Sequence, residues 1–357
     1  MQRILVVGPS WIGDTVLAQP LFRLLHARHG PLELDVVAPP WTLPLVERMP
    51  EVRRATAHPA GHGELRLALQ RRTARALARE HYERAIVLPN SFKSALIPWL
   101  AGIPVRTGYL GELRWGLLND VRRVDEGRHA QLAQRYAALS LSRDEHARGE
   151  PLPDPLPPPG LRVDEARRRA TLERLGLAAG RPAAALCPGA EYGPAKRWPP
   201  RHFAALAERL AGLGFAVWLV GSGNDAAAGS EIARLAPGAV RDLCGRTTLA
   251  EAIDVLGSAR LVVSNDSGLM HVAAALGRPV VALYGSSSPV YTPPLTRDAR
   301  VLKLDLPCSP CFKRECPLGH FRCMIDLVPE RVLAAIDAAG VPAASTGPVL
   351  EKNPERH

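Results

Sequence analysis

Short apolar runs alternate with amphipathic stretches along the chain, at the lengths typical of parallel strands and the helices that cover them. In the first half, three apolar runs predict strands over Ile4–Gly8, Leu34–Ala38 and Arg84–Leu88. The stretches between them have helical periodicity and predict helices over Thr15–His29, Trp41–Arg48 and Leu65–Glu80.

The second half repeats this alternation. Its apolar runs predict strands over Ala183–Cys187, Ala216–Val220, Leu261–Ser264 and Val280–Tyr284. Its amphipathic stretches predict helices over Arg201–Leu213, Ala226–Leu235, Leu249–Ser258, Leu269–Leu276 and Pro329–Ala339. Each half therefore predicts an α/β fold, a doubly wound, Rossmann-like parallel sheet with helices on both faces.

Length and proline content divide the chain in two. A chain of 357 residues is too long for one ordinary hydrophobic core. Residues 150–160 contain six prolines and behave as a semi-rigid spacer. We place the junction there, with domains over residues 1–155 and 161–328, a terminal helix over 329–340 and a disordered tail over 341–357. Two such domains in series predict a ligand cleft between the carboxyl ends of both sheets.

Positive charge is concentrated in one segment of the first half. The net charge of +10 is spread over both halves, which argues against a nucleic-acid partner. From Arg53 to Arg84, eight arginines stand against three glutamates. Two interpretations stay open, a solvated helix face or a patch for an anionic partner such as a phosphorylated substrate or the inner membrane surface. Neither an apolar run of ~18 residues nor a signal peptide is evident, so we expect a cytoplasmic location.

Four of the six cysteines, Cys308, Cys311, Cys316 and Cys323, cluster with the spacing C-x2-C-x4-C-x6-C, and His320 lies among them. Disulfides are not expected in a reducing compartment, which leaves a structural metal site or a thiol-rich loop without metal. The spacing matches no common zinc module and favours the loop without metal. The chain also contains no Asp-x-Asp pair to hold a metal–nucleotide complex.

A loop with the spacing of a phosphate-binding loop, Gly8-Pro-Ser-Trp-Ile-Gly13-Asp14-Thr15, joins the first strand to the first helix. It holds an aspartate where such loops carry a lysine, and this reverses the sign of the local field. Two interpretations of Asp14 follow, a proton acceptor at the mouth of the cleft or an ordinary helix cap. A helix N-terminus favours an ionised carboxylate by ~0.3–1 kcal/mol, so we expect Asp14 to be charged near neutral pH.

Three strand-end loops in the second half carry phosphate chemistry. Ser264-Asn-Asp266-Ser267-Gly268-Leu-Met-His271 joins a strand to a helix, where good N-cap residues and free amides predict an anion site. The loop from Cys187 to Trp198 adds glycines, Lys196 and Arg197, whose cations suit a leaving diphosphate. A third turn, residues 221–225, lacks the full dinucleotide pattern. An ordinary capped helix after a buried strand is the competing interpretation of residues 264–271.

These residues resemble those of the bacterial lipopolysaccharide heptosyltransferases, glycosyltransferase family 9. The similarity rests on the opening Ile-Leu-Val-Val-Gly-Pro-Ser-Trp-Ile-Gly-Asp, on Cys-Pro-Gly-Ala-Glu-Tyr-Gly-Pro-Ala-Lys-Arg-Trp-Pro and on Ser-Asn-Asp-Ser-Gly-Leu-Met-His-Val-Ala-Ala-Ala-Leu-Gly. It covers residues 1 to about 335. Gly-Pro-Ser-Trp, Cys-Pro-Gly-Ala-Glu and the run at 311–320 look like the type II members rather than type I.

The resemblance implies a GT-B fold, with an acceptor-binding first domain, a donor-binding second domain and a last helix that crosses back to the first. It implies ADP-L-glycero-β-D-manno-heptose as donor, heptosyl-Kdo2-lipid A as acceptor and the cytoplasmic face of the inner membrane as a peripheral partner, with no cofactor. The catalytic carboxylate falls on Asp14. The donor-binding residues fall on Lys196, Asp266, Ser267, Gly268 and His271, to which we add Glu191 and Thr247, and we place Ser10, Trp11 and Gly13 on the acceptor side.

The residues and the resemblance lead to one hypothesis. Asp14 takes a proton from the acceptor hydroxyl, which attacks the anomeric carbon opposite the departing ADP and inverts its configuration. Alternatives are a type I or III heptosyltransferase, a GT-B-like sugar-nucleotide epimerase, and a non-catalytic nucleotide-binding module.

Overall fold

The computed structural model describes residues 2–58, 67–177 and 180–340. It contains two parallel six-stranded sheets, ordered β3-β2-β1-β4-β5-β6 and β12-β11-β10-β7-β8-β9. Both orders follow the doubly wound pattern in which the chain reverses direction next to its first strand. The prediction of an α/β fold with two Rossmann-like sheets is confirmed.

The first sheet and its helices come from residues before the proline-rich segment. The strands are β1 (Gln2–Val7), β2 (Leu32–Ala38), β3 (Arg54–Ala57), β4 (Arg84–Val87), β5 (Val105–Tyr109) and β6 (Asp120–Arg122). The helices are α1 (Ile12–Leu17), α2 (Gln19–His29), α3 (Leu43–Val46), α4 (Leu67–Ala78), α5 (Phe92–Leu100), α6 (Leu132–Ala138) and α7 (Arg143–Arg148).

The second sheet begins after α8 (Glu165–Arg174). Its strands are β7 (Ala183–Cys187), β8 (Ala216–Leu219), β9 (Val240–Asp242), β10 (Leu261–Asn265), β11 (Val280–Tyr284) and β12 (Ala299–Lys303). The helices that follow are α9 (Pro200–Gly212), α10 (Ala226–Leu235), α11 (Leu249–Ser258), α12 (Gly268–Ala275), α13 (Arg322–Ile325) and α14 (Pro329–Ala338).

The apolar runs place their strands within a few residues of the structure, but one predicted helix is two. The stretch Thr15–His29 breaks at Ala18, which ends α1 and precedes α2. Pro20 has no N–H to donate to the turn before it, so the first helix cannot continue through it. Five strands were not predicted, because they lack an apolar run: β3, β5, β6, β9 and β12.

The two faces of the first sheet have separate covers. One face packs with α1, α2, α3 and α6 in a core that continues into the second domain. The opposite face packs with α4, α5 and the connection from β5 to β6, which contributes Leu117 and Leu118. The helices α4 and α5 and this connection therefore form one outer layer of the first domain.

The proline-rich segment ends between the two domains, where the Leu161 amide directly after it donates to the Ala275 carbonyl of α12 at 3.1 Å. No helix or strand lies between Arg148 and Glu165, a stretch that the structure describes in full. The Gln19 side chain both donates to the Gly160 carbonyl (2.7 Å) and accepts from the Gly160 amide (3.0 Å). Beyond it, a buried ion pair joins Arg48 of the first domain to Asp254 of α11 at 2.8 Å.

The last helix does not cross back to the first domain as the resemblance implied. α14 packs against α9, β11 and β12 of the second domain. Its apolar side chains Val332 and Ile336 are buried in that domain's core, and this burial holds the helix there. The predicted disordered tail, 341–357, lies outside the described residues.

None of the helices in the described parts of the chain is both long and apolar enough to cross a membrane.

Candidate active site

The site lies where the two sheets reverse direction. β1 pairs with β4 in the first domain, and β7 pairs with β10 in the second. Open parallel sheets bind ligands at the carboxyl ends of the strands at that point. The segments after β1, β7 and β10 carry all the predicted site residues except Thr247, which follows β9.

Asp14 lies in the first turn of α1 and does not cap the helix. The N-cap residue is Trp11, and no side chain hydrogen-bonds to the helix start. The Thr15 hydroxyl instead donates to the Trp11 carbonyl at 2.9 Å. The interpretation of Asp14 as a simple helix cap is therefore wrong, which leaves its carboxylate for the cleft.

Burial sets the proton affinity of Asp14. Loss of water around the carboxyl raises its pKa from 3.8 to about 6, Lys196 acts in the opposite direction, and Asp266 adds to the rise. Desolvation outweighs the ~0.3–1 kcal/mol expected from the helix N-terminus, yet a carboxyl with a pKa of about 6 is still mostly ionised near neutral pH, as expected. A pKa of about 6 suits a proton acceptor near neutral pH.

Two tyrosines from different domains lie near Asp14. Tyr136 lies on α6 and Tyr291 follows β11, and burial together with the charge of Asp14 raises the pKa of both phenols. The Arg135 guanidinium lies 5.0 Å from the centre of the Tyr291 ring. The Leu132 amide donates to the Tyr291 carbonyl at 2.9 Å. The second domain therefore helps to enclose the carboxylate.

The starts of α1 and α12 touch across the cleft through glycines. A Cβ atom on Gly13 would lie 2.9 Å from Cδ2 of His271, and one on Gly268 would lie 2.8 Å from Cβ of Ile12. Any larger residue at either position must push the helices apart, since Cβ atoms do not approach other carbons this closely. Both glycines allow the domains to bring Asp14 next to the second-domain loops.

Gly268→Ala is expected to lower turnover by up to about 10²-fold while each domain stays folded, because a misplacement of ~1 Å at the reacting groups has that effect. The measurement is the turnover number against the thermal unfolding curve. Gly212→Ala is the matched control, because a Cβ there meets nothing within 4 Å. Equal turnover in both variants would show that the close approach of the helices is unimportant.

Lys196 and Asp266 form the charged centre of the second-domain side. The Lys196 ammonium donates to Oδ2 of Asp266 at 2.6 Å, and their side chains are 17% and 5% exposed. The ammonium also lies 5.2 Å from the centre of the Tyr192 ring. The Tyr192 hydroxyl donates to the Phe312 carbonyl at 2.8 Å, which fixes this ring. Lys196 is thus held at the cleft, and Asp266 positions it.

No side chain caps the backbone amides at the start of α12. Asp266 is not the N-cap; Ser267 is, and its hydroxyl lies 3.1 Å from that of Ser264 instead of capping the helix. Asn265 is buried and fixes the loop, since it accepts from the Trp198 amide (3.1 Å) and donates to the Pro188 carbonyl (2.8 Å). An eight-residue helix with uncapped amides at Gly268 suits an anion.

His271 is a neutral imidazole at the domain contact. It is 3% exposed, and burial lowers its pKa to about 4. Its Nδ1 has no hydrogen-bond partner. The structure places this ring against Gly13 of the first domain, so a direct donor contact for His271 stays a prediction.

The remaining donor-side residues lie at the ends of β7, β8 and β9. Glu191 is exposed and accepts from the Asn224 amide at 3.2 Å. Asp225 is buried and accepts from the Ser222 amide at 2.9 Å, so its carboxylate is already used. The Thr247 hydroxyl is buried without a partner. Glu191 and Thr247 therefore remain available to a ligand.

The first domain has a pocket at the carboxyl ends of β1, β2, β3 and β4. It is lined by Val7, Gly8, Ser10, Pro39, Trp41, His58, Pro89, Ser91, Lys93 and Ser94. Of the three predicted acceptor-side residues, only Ser10 lines it. Trp11 is exposed at the start of α1, and Gly13 lies at the domain contact.

Sequence reasoning missed most of this pocket. Trp41 and His58 follow β2 and β3, and Lys93 lies in the first turn of α5 after β4; their position after strand ends was the only signal. Tyr136 and Tyr291 gave no signal, because neither belongs to a recognisable motif and they come from different domains.

The four clustered cysteines are free thiols. Burial raises the pKa of Cys323, while backbone amides, first that of Phe321, lower the pKa of Cys316. Among the described residues, no group of three or more His, Cys, Asp or Glu side chains is arranged to hold a metal ion.

Comparison with known proteins supports the resemblance. The family model of glycosyltransferase family 9 (heptosyltransferase) matches residues 70–322. The chain is 46% identical over 340 residues to lipopolysaccharide heptosyltransferase 2 of Escherichia coli strain K12, covering 94% of this chain and 98% of that protein. It is 42% identical over 343 residues to lipooligosaccharide heptosyltransferase 2 of Haemophilus influenzae, with coverages of 94% and 98%.

Among solved structures, the chain is similar to E. coli ADP-heptose LPS heptosyltransferase II. The two superpose with a TM-score of 0.85 at 45% sequence identity, over 95% of this chain and 98% of the other.

Proposed function

The chain belongs to glycosyltransferase family 9, the heptosyltransferases, and from this we propose that it moves a heptose from ADP-heptose onto the inner core of lipopolysaccharide. Its fold is the GT-B arrangement of two Rossmann-like domains facing a cleft. The acceptor we propose is heptosyl-Kdo2-lipid A, because the full-length relatives are type 2 enzymes.

One observation carries the proposal. Asp14 on α1 faces Lys196 and the uncapped amides of α12, which belong to the other domain. The two sides are close enough for Lys196 and Asp266 to shift the pKa of Asp14. A transferase needs this opposition, because the attacking hydroxyl and the leaving diphosphate stand on opposite faces of the sugar.

In the reaction, the acceptor hydroxyl loses its proton to Asp14 as its oxygen forms a bond to the anomeric carbon. The bond from that carbon to the diphosphate oxygen breaks, the electron pair leaves with ADP, and the anomeric configuration inverts. The carboxylate accepts the proton late, when the hydroxyl has become acidic. General base catalysis of this kind contributes roughly 10²–10⁴-fold.

Departure of ADP creates negative charge at the second domain. The Lys196 ammonium and the amides at Gly268 are the groups that stabilise it, since preorganised donors in an enclosed site need no rearrangement. Asp266 holds Lys196 in place. We propose that these groups take the part that a metal ion plays in other nucleotide-sugar enzymes, so no cofactor is required.

The remaining assignments follow from position. Ser10 and the pocket beside it receive the acceptor, and Glu191 and Thr247 lie where the nucleoside end of the donor extends along the strand ends. We propose that the enzyme works at the cytoplasmic face of the inner membrane as a peripheral protein, because its acceptor is a lipid, and that it binds no nucleic acid.

The test is ADP release from ADP-heptose with heptosyl-Kdo2-lipid A, with Kdo2-lipid A, and without acceptor. Release that depends on the heptosylated acceptor is expected. Preference for Kdo2-lipid A would assign a type I enzyme, and release without acceptor would indicate hydrolysis. Conversion of the donor to an isomer would favour an epimerase, and binding without any reaction would favour a nucleotide-binding module.

A further inference from the structure

One outer surface of the first domain is apolar and aromatic where it meets solvent. On α5, Phe92 is 39% and Trp99 is 47% exposed, and on the connection from β5 to β6, Leu113 is 81% and Trp115 is 70% exposed. The connection lies against the start of α5, since the Phe92 amide donates to the Glu112 carboxylate at 3.2 Å, and α4 packs against α5. Exposed tryptophans and leucines concentrated on one surface indicate a binding partner.

A buried arginine holds the connection in shape. Arg114 is 2% exposed and donates to the Pro89 carbonyl at 2.6 Å, to Oδ1 of Asn90 at 3.2 Å and to the Tyr109 carbonyl. Its two neighbours in sequence, Leu113 and Trp115, are thereby presented outward. The exposed side chains belong to a fixed loop, since its anchor is buried and hydrogen-bonded.

The basic segment from Arg53 to Arg84 resolves into two groups. Arg53 and Arg54 pair with Asp35 and Glu80, and Arg84 turns inward to the Thr107 hydroxyl and the Leu139 carbonyl. These three are structural. Arg66 lies outside the described residues.

The other four arginines of the segment lie on α4 or directly after it, and all are exposed: Arg71, Arg72, Arg75 and Arg79. None has an ion-pair partner among the described residues, and α4 contains no acidic residue. Since α4 packs against α5, this positive strip borders the aromatic surface.

We propose that Phe92, Trp99, Leu113 and Trp115, with the four exposed arginines on and after α4, form a docking face for an anionic phospholipid bilayer. The observations favour a bilayer over a protein partner, because aromatic rings suit the membrane interface and the exposed arginines suit its anionic headgroups. The acceptor pocket adjoins this face, since Ser91, Lys93 and Ser94 at the start of α5 line it. This inference rests on the proposed function, in which the acceptor is a lipid.

The test is flotation of the full chain with vesicles of phosphatidylethanolamine and phosphatidylglycerol, against vesicles of phosphatidylcholine. Leu113→Ser/Trp115→Ser is expected to lower the partition coefficient at least about tenfold on anionic vesicles, since most of the two side chains' apolar surface is free to enter the interface. Replacing the four arginines by glutamine is expected to lower it about fivefold per residue, on anionic vesicles only.

Leu318→Ser is the matched control, because Leu318 is 61% exposed but lies on the second domain. It is expected to bind vesicles like the unaltered protein. Thermal unfolding of every variant should match the unaltered protein, since the replaced side chains are exposed.

Activity separates this inference from the proposed function. The Leu113→Ser/Trp115→Ser variant should lose transfer to heptosyl-Kdo2-lipid A embedded in vesicles but keep transfer to the same acceptor dissolved in detergent. No transfer to either form by the unaltered protein would reject the proposed function and leave vesicle binding to decide the docking face. Unchanged flotation of both sets of variants, or equal loss in Leu318→Ser, would overturn the docking face.

Discussion

Asp14→Asn is expected to lower the turnover number by roughly 10²–10⁴-fold while ADP-heptose binding is retained. The amide has the size of the carboxyl but cannot accept the proton of the acceptor hydroxyl. The donor groups, Lys196 and the start of α12, lie on the other domain and are unchanged. The measurements are acceptor-dependent ADP release and donor affinity by calorimetry.

Stability supplies the control for this variant. The pKa of Asp14 in the folded protein, about 6, lies above its ordinary value of 3.8 because burial disfavours the charged form. The folded state therefore holds the proton more tightly than the unfolded state, and stability falls as the pH rises from 3.8 through about 6. Removing the charge should stabilise Asp14→Asn by ~1–3 kcal/mol at pH 8 and by little near pH 4.

The pH dependence of turnover in the unaltered enzyme should show the titration of Asp14. Turnover is expected to fall as the pH drops through about 6, because the protonated carboxyl of Asp14 cannot act as a base. Near-normal turnover in Asp14→Asn, with this acidic limb preserved, would remove Asp14 from the proton transfer.

Lys196→Met is expected to lower kcat/KM for ADP-heptose by roughly 10²–10³-fold, the usual effect of removing one preorganised donor from a developing anion. Methionine keeps most of the length of the side chain, so packing beside Tyr192 is largely retained. The loss should appear in both donor affinity and turnover, since in the proposed function the ammonium contacts the diphosphate before and during its departure. Steady-state kinetics with varied donor and saturating acceptor measure both.

This variant also leaves a buried carboxylate without its partner. Asp266 is 5% exposed and pairs only with Lys196 among the described side chains, so Lys196→Met should lower the free energy of unfolding by ~1–3 kcal/mol. The double variant Lys196→Met/Asp266→Asn should recover most of that stability but not the activity. If activity returned with stability, Lys196 would be a structural residue rather than a donor ligand.

The sequence predicted the architecture well for a physical reason. Apolar runs such as Val280–Tyr284 are buried on both faces of a parallel sheet, so their composition alone identifies them. The edge strand β12 has no fully buried residue and carries charges at both ends of its apolar pair, and it was missed. The site loops were found because strand ends and glycines are local signals.

Other features required the tertiary structure. Local sequence placed α14 as a helix but could not say which domain buries it, and the domain implied by the resemblance was wrong. The basic segment looked uniform until Arg53 was found paired with Asp35, 18 positions earlier in the chain. Such pairings depend on which strands become neighbours, and local periodicity carries no information about that.

The sequence by itself determined two parallel α/β domains, the loop that carries Asp14 and the loops that carry Lys196 and Gly268. Only the tertiary structure decided that Gly13 and Gly268 bring two helix starts into contact, that Tyr136 and Tyr291 enclose the carboxylate, and that burial raises its pKa. Desolvation and close approach are properties of the space between elements far apart in the chain, so they exist only after the two domains have packed together.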